Sequence, residues 1–209
     1  MTMYKGIHVR EDNKMDEYIV DEMSSDYKYL LQQVEGKIVM DVGANIGAFS
    51  SRALDNGAER VIAIEPEPGN LVFLDRNTKE YGRRVEVYPG VIGNKDGRAT
   101  LMVNEGSNKG LHSINTDSLV AREKDYHTVD VPMFDFRTIL DVHKPEVLKI
   151  DIEGGELLII DILTDLPDYI KHIAIEFDAI EDKYIPILQY LATNFKDAER
   201  NKFFTGSRL

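Results

Sequence analysis

The 209 residues include no cysteine. That absence removes disulfides, thiolate metal sites and a cysteine nucleophile, and leaves proton transfer to carboxylates and histidine. Long apolar runs are missing as well: no stretch approaches the ~20 residues that a membrane-spanning helix needs. Met1 to Arg10 lacks the apolar core of a secretory signal. With neither a signal nor a cysteine, a cytoplasmic protein is the expectation. Basic residues are the scarce sign of charge, since 25 Lys+Arg stand against 37 Asp+Glu for a formal net charge of −12. A field of that sign repels DNA and RNA at long range. The densest basic stretch, Arg76, Lys79, Arg83 and Arg84, is interleaved with Asp75, Glu80 and Glu86 and reads as a solvated helix face. Nucleic acid is therefore disfavoured as a partner, and nothing points to a membrane. No internal repeat or low-complexity tract is visible. At 43% hydrophobic and 30% charged, the composition excludes a disordered chain and fits one globular domain with an extension.

From Lys37 onward, short β-branched runs alternate with helical segments. Lys37–Val42, Arg60–Ile64, Val85–Tyr88, Val147–Ile152 and Ile173–Phe177 read as strands that are apolar on both faces. Helices are expected over Ala48–Asn56, Pro68–Tyr81, Glu156–Leu163 and Pro186–Thr193. The second of these has Leu71, Leu74, Thr78 and Tyr81 facing inward, a proline at its start and Gly82 just past its end. The pattern predicts an α/β fold, a doubly wound, mostly parallel sheet covered on both sides. Ahead of it, Tyr18, Ile19, Met23, Tyr27, Leu30 and Leu31 form a helical stripe between Asp16 and Val34, closed by Gly36. The chain thus divides into an N-terminal helical extension, 1–36, and a main domain, 37–209. Between Gly90 and Pro145 the rhythm breaks. There Arg98–Val103 and His127–Met133 alternate as an inserted antiparallel strand pair. The polar stretch Asn104–Asp125 between them reads as a lid on the substrate side.

The most informative segment is Asp41-Val42-Gly43-Ala44-Asn45-Ile46-Gly47, which leaves the first strand of the sheet and opens a helix. Doubly wound sheets bind their ligands beyond the carboxyl ends of the strands, at the switch point. Gly43 permits a sharp turn, and Gly47 lets the helix start approach strand and ligand closely. The second strand ends in Glu65-Pro66, 24 residues after Asp41, where a carboxylate can accept both hydroxyls of a ribose. Two cofactor classes suit that geometry. A dinucleotide fingerprint needs a middle glycine to make room for a pyrophosphate, and here that position is Asn45. Asp41 would repel a pyrophosphate but suits a cofactor with cationic groups. S-adenosylmethionine, with an ammonium and a sulfonium, is such a cofactor. A plainer reading makes Asp41 a helix cap and the two glycines an ordinary tight turn. The presence of Glu65 and the strand order weigh against it.

The blocks VMDVGANIGAFS (39–50), AIEPEPGN (63–70), GVIGNKDGRATL (90–101) and VLKIDIEGGELLI (147–159) resemble the FkbM family of class I S-adenosylmethionine-dependent methyltransferases. The last is the most specific, through its Lys-Ile-Asp-x-Glu-Gly core. Gly155 departs from the pattern, since the family more often has Ala there. Lys196–Phe204 leaves little chain for the final strands. The resemblance implies a Rossmann-like methyltransferase sheet of seven strands. It also implies O-methylation of a small-molecule or glycan acceptor, such as a sugar or natural-product hydroxyl. The cofactor's methionine moiety would lie over Gly43, Asn45 and Gly47, with Asp41 near its amino group. Glu65, followed by Pro66, would take the ribose. Val91 and Ile92 would flank the adenine, and Asp96 would reach toward its N6.

Lys149, Asp151 and Glu153 alternate, so they share one face of a central strand. Buried charges need partners, and Lys149 is expected to pair with Glu176 on the neighbouring strand. Asp151 and Glu153, at the strand's carboxyl end, are the catalytic candidates. Methyl transfer to oxygen is an in-line displacement, and they can orient the acceptor hydroxyl or accept its proton. His112, in the lid, is the other candidate base because histidine titrates near neutrality. Asp151, Glu153 and Glu176 would also suit Mg²⁺. Lys149 already neutralises one carboxylate, however, and no metal is assigned. His8, His127, His143 and His172 show no ligand spacing. Two other functions stay open: a cofactor-binding module without catalysis, which the Asp151/Glu153 pair disfavours, and an RNA ribose methyltransferase, which the acidic surface disfavours. The sequence assigns no oligomeric state.

Overall fold

The apolar runs IVMDV and VLKI lie side by side at the centre of one sheet. The computed structural model describes residues 1–11, 13–104, 112–114, 126–177, 182–200 and 203–208. It opens with a hairpin, β1 (Thr2–Tyr4) and β2 (Ile7–Val9), followed by helices α1 (Lys14–Glu22) and α2 (Lys28–Leu31). The main sheet starts with β3 (Ile38–Val42), α3 (Ala48–Asp55), β4 (Arg60–Ile64), α4 (Pro68–Thr78) and β5 (Val85–Tyr88). A smaller sheet holds β6 (Val91–Gly93), β7 (Gly97–Asn104), β8 (His112–Ser113) and β9 (Tyr126–Asp135). Helix α5 (Phe136–His143) then returns the chain to β10 (Val147–Ile150). The last elements are α6 (Ile160–Leu163), β11 (His172–Glu176), α7 (Ile185–Asn194), β12 (Phe195–Arg200) and β13 (Phe203–Arg208).

The main sheet has seven strands in the order β12-β13-β11-β10-β3-β4-β5. Pairing is parallel from β11 through β5, and β13 runs antiparallel between β11 and β12. The chain moves outward from β3 to β5 and then crosses back to β10 on the other side of β3. That places the switch point between β3 and β10. The expected doubly wound, mostly parallel sheet is present, and its seventh strand is supplied by a hairpin that continues to Arg208. Alternation along each strand divides the side chains between two cores. Val39, Val61, Val147 and Ala174 face one cluster, while Met40, Val42, Ile62, Ile64, Leu148, Ile150, Ile173 and Ile175 face the other. Burial on both faces is why these strands read as continuous apolar runs.

The expected N-terminal helix is two short ones preceded by a hairpin. Lys5 and Gly6, with φ of 45° and 84°, form its tight turn. Helix α1 stops where Ser24-Ser25-Asp26 turns back, with the N–H groups of Asp26 and Tyr27 donating to the Glu22 carbonyl at 2.9 and 3.1 Å. This segment shares a core with the sheet: Ile7, Val9, Val20, Tyr27 and Leu30 cluster with Val39, Phe49 and Val61. The opposite face is covered by Phe136, Ile139 and Leu140 of α5 together with Ile187 and Leu191 of α7.

Three other expectations shift. Helix α5 lies inside the stretch read as an insertion and is capped by Asp135, whose side chain accepts from Thr138 N at 2.8 Å. The helix expected over Glu156–Leu163 is a 3₁₀ run, Gly155–Ile159, followed by one α-helical turn. The strand before it ends at Ile150, because Glu153 and Gly154 adopt left-handed conformations. β7 and β9 pair antiparallel as expected, and His112–Ser113 adds to β7. The rest of the expected lid, 105–111 and 115–125, lies outside the described residues. Among those described, no helix is long and apolar enough to cross a membrane.

Candidate active site

Beyond the carboxyl ends of β3, β4 and β10 the chain encloses a cavity of about 270 Å³. One wall is the turn after β3. Gly43 has φ 78°, and a Cβ there would overlap the backbone carbonyl oxygen of Asp151, so only glycine fits. The N–H groups of Gly43 and Ala44 both donate to the Ile64 carbonyl at 3.0 Å, which ties the turn to the end of β4. Asn45 is left-handed at φ 51°, and its side chain accepts from Ile46 N at 2.8 Å. Asparagine tolerates this conformation better than most residues do. Gly47, at φ 80°, packs against α4, where a Cβ would come within 2.7 Å of Leu74 Cδ1.

Glu65 closes the second wall. Its carboxylate accepts from Asn45 N at 2.8 Å, from Glu67 N at 2.8 Å and from Asn70 Nδ2 at 3.2 Å. Burial pushes its pKa up to about 7 against the pull of those three donors. A carboxylate offers about four lone-pair sites, so capacity to accept remains. Asn70 also accepts from Arg10 at 2.9 Å, and Arg10 is ion-paired with the fully buried Asp16 at 2.7 Å. The N-terminal segment is thereby linked to the carboxylate.

The third wall carries the charged residues of the fourth block. Lys149 Nζ donates to the Gly43 carbonyl at 2.7 Å and pairs with Asp41 at 3.3 Å and Asp151 at 3.5 Å. Its ion pairs thus run to β3 and to Asp151, the residue after its own strand, and Glu176, the expected partner, adds to the negative field around it. Burial alone would lower the Lys149 pKa, but Asp41 and Asp151 reverse that and hold it above its ordinary value. Asp151 Oδ2 also accepts from the Tyr27 hydroxyl at 3.0 Å. Glu153 has φ 52°, and its carbonyl accepts from Ser113 Oγ at 2.6 Å, which ties β8 to this turn. His112 Nδ1 accepts from Asn104 N at 3.3 Å, so the proton of the neutral ring sits on Nε2. That Nε2 is buried and without a hydrogen-bond partner among the described residues. Burial pushes the His112 pKa down to about 4.

Of the residues singled out from sequence, Gly43, Asn45, Glu65, Pro66, Val91, Ile92, His112, Asp151 and Glu153 line the cavity. Asp41 lies behind its wall. It is fully buried, and its carboxylate is engaged by Ser50 Oγ at 2.7 Å and by Lys149. Gly47 likewise acts one layer back, through its packing on Leu74. Asp96 is elsewhere, accepting from Asp135 N at 2.9 Å in the smaller sheet. Sequence reasoning missed the fourth wall, which α1 and the following turn supply through Tyr18, Ile19, Glu22, Met23 and Tyr27. Tyr18, Ile19, Met23 and Tyr27 belong to the helical stripe read from the sequence, which assigned them no site role, and Glu22 beside Met23 was the available signal. Burial and the charge of Asp151 push the Glu22 pKa up to about 7. Among the described residues no three His, Asp or Glu side chains gather as a metal site.

Strand order, glycine turn and terminal carboxylate together define a Rossmann-like methyltransferase. A family profile for the methyltransferase FkbM domain matches residues 41–201, and the chain belongs to that family. Solved structures show the same fold at low identity. The C-terminal domain of precorrin-6Y C5,15-methyltransferase from Rhodobacter capsulatus is 15% identical with a TM-score of 0.52, over 89% of this chain and 88% of that one. Methyltransferase FkbM from Methylobacillus flagellatus is 17% identical with a TM-score of 0.51, over 94% of this chain and 54% of that one. A provisionally named RNA methyltransferase from Pyrococcus horikoshii is 15% identical with a TM-score of 0.51, over 95% of this chain and 87% of that one. No curated protein matches the chain significantly.

Proposed function

We propose that this methyltransferase binds S-adenosylmethionine in the cavity and methylates a hydroxyl of a small acceptor, such as a sugar, a glycan or a natural product. One observation carries the reading. Glu65, fixed by three donors beside the Gly43–Asn45 turn, shares a single cavity with Asp151 and Glu153. The residues present fit the cofactor. Glu65 has remaining acceptor capacity for ribose hydroxyls, Val91 and Ile92 offer apolar surface to the adenine, and the Gly43–Asn45 turn admits the methionine moiety. Asp41, through its pair with Lys149, supports that turn from behind.

When bound, the cofactor supplies a methyl carbon activated by a sulfonium. This chain's own residues hold the acceptor and manage its proton. Of the carboxylates that line the cavity, Asp151 and Glu153, just beyond the end of β10, are read as the proton acceptors. His112 is neutral and its Nδ1 is occupied by Asn104 N, so the carboxylates and not His112 are read as the base. Among the described residues the lining includes Glu22, Glu65, Asp151, Glu153 and Glu176 against one cation, Lys149. That balance favours a cationic cofactor and a neutral acceptor, and disfavours the phosphates of RNA.

A thermal melt tests the cofactor assignment. S-adenosylhomocysteine at a hundredfold over its Kd adds about 2.7 kcal/mol, a rise in Tm of roughly 5–10 °C for a chain of this size, and NAD should produce none. A shift with NAD and none with S-adenosylhomocysteine overturns the reading. Release of S-adenosylhomocysteine in the presence of a panel of methyl glycosides then tests the acceptor class.

A further inference from the structure

The carboxylate assigned to the acceptor is held by a residue outside the 41–201 family match. Tyr27, in the turn between α1 and α2, is fully buried and packs edge-to-face on Phe49 with ring centroids 5.6 Å apart. Its hydroxyl donates to Asp151 Oδ2 at 3.0 Å. Lys149 Nζ approaches the same oxygen at 3.5 Å and lies 5.4 Å from the Tyr27 ring centroid. Among the described residues both side-chain partners of this carboxylate therefore fall on Oδ2, and Oδ1 has none. Phenylalanine would fill the same apolar space, and burying a hydroxyl is unfavourable unless it is bonded, so the hydrogen bond to Asp151 is what justifies a tyrosine here. Burial and the charges of Asp151, Glu176 and Glu22 raise the Tyr27 pKa, and the phenol stays a donor.

We propose that Tyr27 is a positioning residue of the methyl-transfer site: with Lys149 it occupies Oδ2 of Asp151 and presents Oδ1 to the acceptor as the proton-accepting oxygen. The proton of the acceptor hydroxyl passes to Oδ1 as its oxygen forms the new carbon–oxygen bond. The electron pair of the breaking carbon–sulfur bond stays with the sulfur. The N-terminal segment is on this view part of the reaction centre, since it aims the base as well as closing the cavity. The proposal rests on the reading of Asp151 as the acceptor-side base, and the experiment separates the two.

Three variants, Tyr27→Phe, Asp151→Asn and the double variant, are compared with the parent by crystal structure with S-adenosylhomocysteine, thermal melt, cofactor calorimetry and turnover. Turnover is followed on the methyl glycoside that the parent methylates best. For Tyr27→Phe the expected result is an Asp151 carboxylate rotated in the crystal, a Tm and cofactor Kd close to the parent's, and kcat reduced about 10- to 100-fold, the scale of one hydrogen bond to a charged group. The double variant should be no slower than Asp151→Asn alone, because on this proposal the Tyr27 hydroxyl acts through that carboxylate. An Asp151 unmoved in the Tyr27→Phe crystal overturns the proposal whatever the kinetics. So does an additive double variant, which would make Tyr27 a fold residue. Full kcat in Tyr27→Phe beside an inactive Asp151→Asn overturns the proposal and leaves the function standing. Full kcat in Asp151→Asn overturns the proposal together with the reading of Asp151 as the base, and leaves methyl transfer itself standing.

Discussion

Glu65 combines a cost to the fold with a use in the site. Its carboxyl titrates at about 7 in the folded protein against an ordinary 4.5. Between those values the folded state holds a proton that the unfolded chain has released, so stability falls as pH rises through that window. The loss is roughly 2–4 kcal/mol at slightly alkaline pH. Relative to the parent, Glu65→Gln should therefore gain stability from pH 5 to pH 8, on top of a pH-independent cost because its amide turns an N–H toward one of the backbone donors that Glu65 accepts. Glu22, which titrates at about 7 for the same reason, adds a slope of the same sign that Glu65→Gln leaves in place. The gain in stability comes with a loss of function. Ribose hydroxyls donate best to the charged carboxylate, so the parent should release protons on binding S-adenosylhomocysteine near pH 7. Calorimetry in two buffers of different ionisation enthalpy measures that release, which Glu65→Gln should reduce along with the affinity, by about tenfold. Gly43 illustrates a purely steric demand. Gly43→Ala would drive a Cβ into the Asp151 carbonyl, whereas Gly36→Ala, at φ 68° with nothing within 4 Å, meets only the backbone penalty. Urea melts should show a loss of about 3 kcal/mol or more for the first and about 1 kcal/mol for the second.

Among the elements, those buried on both sides were legible, and those that depend on tertiary contacts were not. β4 could be read from Arg60 to Ile64 because Val61 and Ala63 face one core while Ile62 and Ile64 face the other. β1 and β2 could not, since three-residue strands with Thr2 and Met3 exposed carry too short a pattern. Helix α5 did have a pattern, with Phe136, Ile139, Leu140 and His143 buried at helical spacing. It was hidden by treating everything from Gly90 to Pro145 as an insertion. The left-handed Glu153 that shortens β10 has no residue-type signal at all. The site divides the same way. The turn and Glu65 follow from local motifs, but the wall from α1 depends on tertiary docking of the N-terminal segment, in which Asp16 and Arg10 meet Asn70. Asp16 is fully buried, so Asp16→Ala leaves Arg10 unpaired and should cost about 3–5 kcal/mol. Hydrogen exchange should rise first across β1 to α2. Cofactor affinity should fall too, because Asn70 also orients Glu65. Unchanged exchange in that segment would detach it from the site.

For the molecule as a whole, the net charge of −12 becomes meaningful once the distribution around the cavity is known. Among the described residues five carboxylates and one lysine line it, and the lysine is committed to Asp41 and Asp151. A bound sulfonium cofactor offsets part of that charge and leaves the acceptor side negative. One unit charge about 8 Å away contributes roughly 2 kcal/mol at an effective dielectric constant of 20. An acceptor with a carboxylate or phosphate near the reacting hydroxyl therefore meets repulsion worth at least tenfold in kcat/KM. Matched pairs such as a methyl glucoside and the corresponding glucuronide isolate this effect, because shape is nearly conserved while charge changes. The neutral member should react faster by that factor at low salt. Raising the ionic strength from about 50 to 500 mM should narrow the gap, since screening weakens the field of the outer charges more than that of the buried ones. If the anionic member reacts as well or better, the reacting hydroxyl is not held beside Asp151 and Glu153, and their assignment as proton acceptors falls.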